Sequence, residues 1–298
     1  MTLTSEKLTG HILATVTIII WGTTFISSKL LLAQFTPLQV MIMRFTIAYL
    51  TLFILNHKIK KTTWHEELVF LSLAIMGTTI YFFAENRALT LTFASNVSII
   101  LSVAPLLTAI LAHFFTKDEK MNERIIIGSI LAFTGVALVV FNGTVVLKLN
   151  PMGDILSFCA ALSWAFYSVI LKKHVNLYDS IYLTRKVVFY SIVTTLPLVL
   201  IEGKPFPIVE LRNASLIINL LFLGILGSGI CYVAWNIATK NLGIVTTNNY
   251  IYLCPFVTMV AAGLIIHETI GHGYPRGVIN HNGRCVRKSK EYTEESIM

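Results

Sequence analysis

Nine stretches of this chain are each apolar over the roughly 17–25 residues that a helix needs to cross a bilayer. They run at about 11–32, 38–55, 68–84, 93–115, 125–141, 152–171, 181–201, 215–237 and 244–266. Inside hydrocarbon every backbone N–H and C=O must find a partner within the protein, which leaves helices or a closed barrel. Runs this long select helices, so an all-α membrane protein is expected. The charge content agrees. Only 13% of the residues are charged and 55% are hydrophobic, whereas a soluble domain carries about 25% charged residues. The net charge of +8 then bears on orientation. No basic surface interleaved with aromatics is visible, so nucleic acid is not an expected partner. The first stretch is too long and too weakly basic at its start for a cleaved signal peptide and reads as a retained span.

The chain also repeats itself. Residues 71–118 return without a gap as 221–268, with 11 of 48 positions identical. Gly77 returns as Gly227, Asn86 as Asn236, Pro105 as Pro255 and Thr108 as Thr258, and Asp118 as Glu268. The correspondence reaches upstream. Trp21 and Lys29 have the same spacing as Trp164 and Lys172, and Arg44 and Arg185 each follow in the next span. The unit is therefore five spans, over 11–141 and again from 152. Five is odd, so the second copy enters the membrane inverted, as in alternating-access carriers. Counting alternate connections puts ten Lys or Arg on one side and four on the other. The positive-inside bias then places the N-terminus in the cytoplasm.

The second unit, 152–270, departs from the pattern at its end. A tenth span is due near 274–290, but Tyr274-Pro275-Arg276-Gly277 opens a polar tail that also carries Arg284, Arg287, Lys288 and Lys290. An Arg or Lys at mid-membrane costs about 2.5–3.5 kcal/mol, so residues 271–298 are expected not to span. Synonymous codons for 271–287 read one base later as G-M-A-I-L-G-A-L-L-I-I-T-G-V-V-F. Part of that string echoes Gly128-Ser129-Ile130-Leu131-Ala132-Phe133-Thr134-Gly135-Val136. The tail is read as out of frame.

These features together resemble the drug/metabolite transporter superfamily, EamA type. The resemblance rests on the two five-span units, Trp21-Gly22, Arg44, and Ala84-Glu85-Asn86-Arg87-Ala88-Leu89. It rests also on Thr92-Phe93-Ala94-Ser95-Asn96-Val97-Ser98 with Pro105. It implies a ten-span inner-membrane carrier, often an exporter of amino acids or other metabolites. It leaves a homodimer open.

Arg44 is the leading candidate for solute contact. A cation about two turns into a span needs something to offset its desolvation. Two readings stand open: a structural pair with a backbone carbonyl or with Glu85, or a clamp on a solute carboxylate or phosphate. Trp21, Trp164, Tyr167, Tyr232, Trp235 and Tyr250 are candidate cavity walls, against the alternative of an interfacial belt. Trp64 is assigned to the interface. Asn86 joins the candidate contacts, though Asn86 and Asn236 fit equally a helix C-cap or a bond across helices. Pro105 and Pro255 are the candidate hinges, since each removes a helix hydrogen bond in mid-span. Arg185 and Lys186 are expected to snorkel to the headgroups, and Lys29 and Lys172 to anchor span ends. Asp118 and Glu268 are expected at the interface.

No nucleophile set, phosphate loop or cofactor motif is present, and the four cysteines form neither a metal nor a disulfide pattern. His267, His272, His281 and Cys285 lie in or beside the suspect tail and carry no metal assignment. The expected function is secondary transport of a small solute by alternating access, not enzymatic and without a cofactor. Lipid is the solvent, and a proton is a candidate coupling ion. A membrane-embedded lipid-modifying enzyme and an inactive truncated carrier are the rivals.

Overall fold

The computed structural model describes residues 5–116 and 150–266, six isolated positions between them (119, 123, 127, 128, 131 and 134), and two short strands at 278–279 and 285–286. Most of the fifth apolar stretch, together with Asp118, Glu268, His267, His272 and His281, lies outside the described residues.

Eight helices are long and apolar enough to span a membrane. They are α1 (Ser5–Leu32), α2 (Pro37–Leu55), α3 (Trp64–Leu91), α4 (Ala94–Phe115), α5 (Pro151–His174), α6 (Ser180–Glu202), α7 (Ala214–Leu242) and α8 (Ile244–Ile265). Their starts are written locally. Thr36 before α2 and Thr63 before α3 each form a capping box, with Gln39 and Glu66 respectively. Asn150 and Asp179 cap α5 and α6 through their side chains. Each span is about half buried. The outward faces are Leu, Ile and Phe, with Ile54, Phe114, Leu200 and Leu264 all more than 70% exposed. In water such a surface would drive aggregation; in lipid it costs nothing.

Consecutive helices alternate in direction except α4 and α5, which both run from the second face described below to the first. At one face the Asn241 amide donates to the backbone of Glu6, Lys240 to the backbone of Tyr178, and the Tyr178 hydroxyl to Glu66. At the other, Thr36 donates to Glu202, Gln39 to the backbone of Pro205, and Asn150 to the backbone of Leu91. α1 begins at the first face and α5 at the second. Most packing crosses between the halves: α1 on α7 and α8, α2 on α6 and α7, α3 on α5 and α6, α4 on α5 and α8.

The irregular turns fall at matching places. α3 turns π-helical over Ile75–Ile80 and α7 over Phe222–Ile230. α4 breaks at Ser102–Val103 and resumes at Ala104, with Pro105 in its new first turn. α8 passes through a 3-10 segment, Asn249–Leu253, and resumes at Cys254 with Pro255 in the same place. Proline is tolerated there because a first-turn N–H has no helical partner.

Several expectations need correction. α3 runs well past residue 84, so Asn86 sits inside the helix and is no C-cap. Asn236 also lies within α7 and follows the other reading given for it, a bond across helices, donating to the Thr184 hydroxyl at 2.9 Å. Trp64, outside the apolar stretches of the sequence, opens α3 and is 77% exposed. Arg185 does not snorkel: it is buried against the end of α2, donating to the backbone oxygens of Asn56 and Lys58. Lys186 pairs with Glu67 at 2.6 Å. Lys29 and Lys172 do end their spans, on the Thr92 carbonyl at 3.2 Å and on Glu119 at 2.8 Å. Where a tenth span was due, the described backbone is a two-residue antiparallel pairing, Val278 with Val286 and Ile279 with Cys285.

Candidate functional site

At mid-height the helices leave a cavity. α1 contributes Trp21 and Thr24, α2 Arg44, and α3 Tyr81, Phe82 and Glu85. α4 adds Ser98 and Leu101, α5 Trp164, α7 Tyr232, and α8 Ile251 and Cys254. It leaves about 50 Å³ for the centres of water-sized molecules, room for a few waters at about 10–15 Å³ each. The unfilled space in and around it, open solvent included, is about 560 Å³.

The aromatic wall is continuous. The Trp21 ring stands edge-on to Trp164 at 5.3 Å and lies 5.4 Å from Tyr232 and 5.0 Å from Trp235. Tyr81 lies 5.4 Å from Trp164 on the other side. Such pairs contribute about 0.5–1.5 kcal/mol each beyond their burial. The polar tips are already used. Trp21 Nε1 donates to the Gly227 oxygen at 3.0 Å, Trp164 Nε1 to Asn248 Oδ1 at 2.9 Å, and the Tyr232 hydroxyl to the Gly77 oxygen at 3.0 Å. Both glycine acceptors lie in the π-helical segments, where the α ladder is interrupted.

Arg44 is 1% exposed. Its Nε donates to the Ser228 hydroxyl at 2.8 Å, and its guanidinium lies 4.0 Å from the centre of the Phe82 ring. Its Nη1 has no hydrogen-bond partner among the described residues. Glu85 is its nearest charge of opposite sign, 3% exposed. The two are not an ion pair: no such contact within 4.0 Å joins them, although three others do join described residues elsewhere. Leaving a charged donor unsatisfied in a buried site costs more than about 1–3 kcal/mol. Arg44 Nη1 is thus a donor open to an acceptor.

Of the candidate residues, the fold brings Trp21, Arg44, Trp164 and Tyr232 to the cavity. Tyr167 and Trp235 lie behind the wall, with rings 5.0 Å from Trp164 and from Trp21 respectively. Asn86 is fully buried off the cavity with both amide atoms unpartnered. Tyr250 stands nearer the first face with its hydroxyl against His11. Pro105 and Pro255 follow the helix breaks. The reading of residues alone did not single out Ser228, Tyr81 or Asn248. The only trace of Ser228 was the small-residue run Gly227-Ser228-Gly229, which lets a guanidinium approach the α7 backbone. Among the described residues no group of three or more His, Cys, Asp or Glu is placed to hold a metal.

Comparison with known proteins agrees with this architecture. Residues 8–141 and 151–273 match the EamA-like transporter family. An uncharacterized transporter of Archaeoglobus fulgidus is 29% identical over 263 residues, covering 87% of this chain and 89% of its own length. One from Clostridium kluyveri is 28% identical over 283 residues, covering 91% and 89%. A solved crystal structure superposes with a TM-score of 0.67 over 89% of this chain and 91% of its own, at 19% identity, a likeness of fold alone.

Proposed function

The chain belongs to the EamA-like transporter family, and on that premise we propose that it exports small metabolites such as amino acids across the inner membrane. Transport proceeds by alternating access between two inverted units, 11–141 and 152–270, with the N-terminus in the cytoplasm. The observation that carries this reading is the open Nη1 of Arg44 in an aromatic cavity formed by helices of both halves. A guanidinium with a free donor suits a solute carboxylate, and the rings around it suit an apolar or planar remainder. The inverted arrangement is supported by the opposite starting faces of α1 and α5 and by π-helical segments and prolines that recur 150 residues apart. Pro105 and Pro255 act as hinges, because the helices are already broken beside them. A proton supplies the coupling, and a homodimer is the working assembly. Residues 271–298 are an out-of-frame replacement for a tenth span.

The test is an efflux screen of amino acids and related acids in cells expressing the chain, beside a version with the tail frame restored. Loss of efflux in Arg44→Ala at unchanged membrane abundance supports the clamp. Undiminished efflux in that variant removes it.

A further inference from the structure

Among the described residues only three charged side chains are buried: Arg44, Glu85 and Arg185. Arg185 is satisfied by backbone oxygens at the first face. The other two share the cavity, near enough to act on each other yet not paired. A structural carboxylate in a bilayer is normally locked to a cation or ringed by donors, because a bare buried charge is too costly to keep. Glu85 is neither. It lines open space, with a guanidinium nitrogen left over nearby.

We propose that Glu85 holds the proton carried in the transport cycle, with Arg44 as the counter-charge that takes over when the proton leaves. The inference rests on the carrier reading above and names the site of its coupling ion. With the proton on a Glu85 oxygen, the acid is neutral and has no charge to offer a solute ammonium. When the proton passes to water, the carboxylate is offset by Arg44 and receives the ammonium of an amino acid whose own carboxylate rests on Nη1. Proton and solute thus take turns at a single carboxyl group, as export against an inward flow of protons requires. The ionisable groups facing Glu85 are Arg44 from α2, Tyr81 from its own helix, Tyr232 from α7 and Cys254 from α8. α1, α4 and α5 present only indole, hydroxyl and apolar groups to the cavity. Among the described residues, Glu85 is therefore the one carboxyl group in the cavity wall.

The proton itself is the probe. Trp21 and Trp164 line the same cavity and report on it by fluorescence once the exposed Trp64 is replaced by Phe. The purified chain in detergent is titrated over the range in which protein carboxyl groups ionise, about pH 4 to 9. A transition present in the Trp64→Phe background and absent after Glu85→Gln is expected. If Glu85→Gln does not fold, Glu85→Asp decides: a displaced midpoint supports the assignment and an unchanged curve overturns it. No transition in the parent, or the same transition in Glu85→Gln, also overturns it. None of these results depends on the solute, so each leaves the efflux screen to judge the carrier reading separately.

Discussion

The Tyr232 hydroxyl donates to the backbone oxygen of Gly77 at 3.0 Å, joining α7 to the π-helical turn of α3. Trp21 makes the converse contact, from α1 to Gly227 in the π-helical segment of α7, at the same distance. Each half thus uses a cavity aromatic to fasten the irregular turn of the other.

Tyr232→Phe removes its donor and keeps the ring, whereas Trp21→Phe removes the donor together with part of the ring. Tyr232→Phe and Trp21→Phe are each expected to lower stability by about 0.5–1.5 kcal/mol, the usual net value of one hydrogen bond. Thermal unfolding in detergent measures it. A larger loss is expected in Trp21→Phe, where the smaller ring also leaves space. Equal and negligible effects would show that the π-helical turns need no fastening.

Gly77 has no room for a side chain. A Cβ there would lie 2.2 Å from the Tyr167 ring, well inside contact distance. Gly77→Ala is expected to cost about 1–3 kcal/mol through overpacking. Adding Tyr167→Leu should recover part of it. A stable single variant would mean that α3 and α5 separate more easily than their packing suggests.

Arg44→Lys tests shape rather than charge. Lysine keeps the positive charge but lacks the planar fork that reaches Ser228 through Nε and leaves Nη1 open. At least a tenfold fall in efflux is expected, since the two cations are not interchangeable at such a site. Efflux near the parent level would make Arg44 a point charge only.

Glu119 holds the start of α8. Its carboxylate accepts from the backbone N–H groups of Ile244 and Val245 at 2.8 and 2.7 Å and pairs with Lys172. It also leaves no room at Gly243, whose φ of +81° already favours glycine. Glu119→Gln weakens the cap and the ion pair together. Faster hydrogen exchange across Ile244–Asn248 is expected, with α1 unaffected. Unchanged exchange would assign the cap to Gly243 geometry alone.

Much of the fold was legible because lipid makes its demands residue by residue. A run of apolar side chains has to become a helix, and the run lengths located all eight described spans. Thr36, Thr63, Asn150 and Asp179 marked starts by local chemistry. The candidate site was only partly legible. Trp21, Arg44, Trp164 and Tyr232 meet at the cavity, whereas Tyr167 and Trp235 stand behind it and Asn86 faces packed protein. In a soluble helix the polar face would have told them apart. Here the outer face is apolar too, so sequence periodicity says little about which way a span is turned.

The sequence by itself determined that the chain is a helical membrane protein in which residues of 71–118 recur at 221–268, because those follow from hydrophobic length and from the residues themselves. Only the tertiary structure decided which side chains share a cavity, that Arg185 is tied to α2 while Arg44 keeps a free nitrogen, and that Glu85 stands beside it without forming an ion pair. Those outcomes depend on how each helix is rotated against its neighbours. That rotation is set by close packing at residues such as Gly77 and Ser228, far apart along the chain.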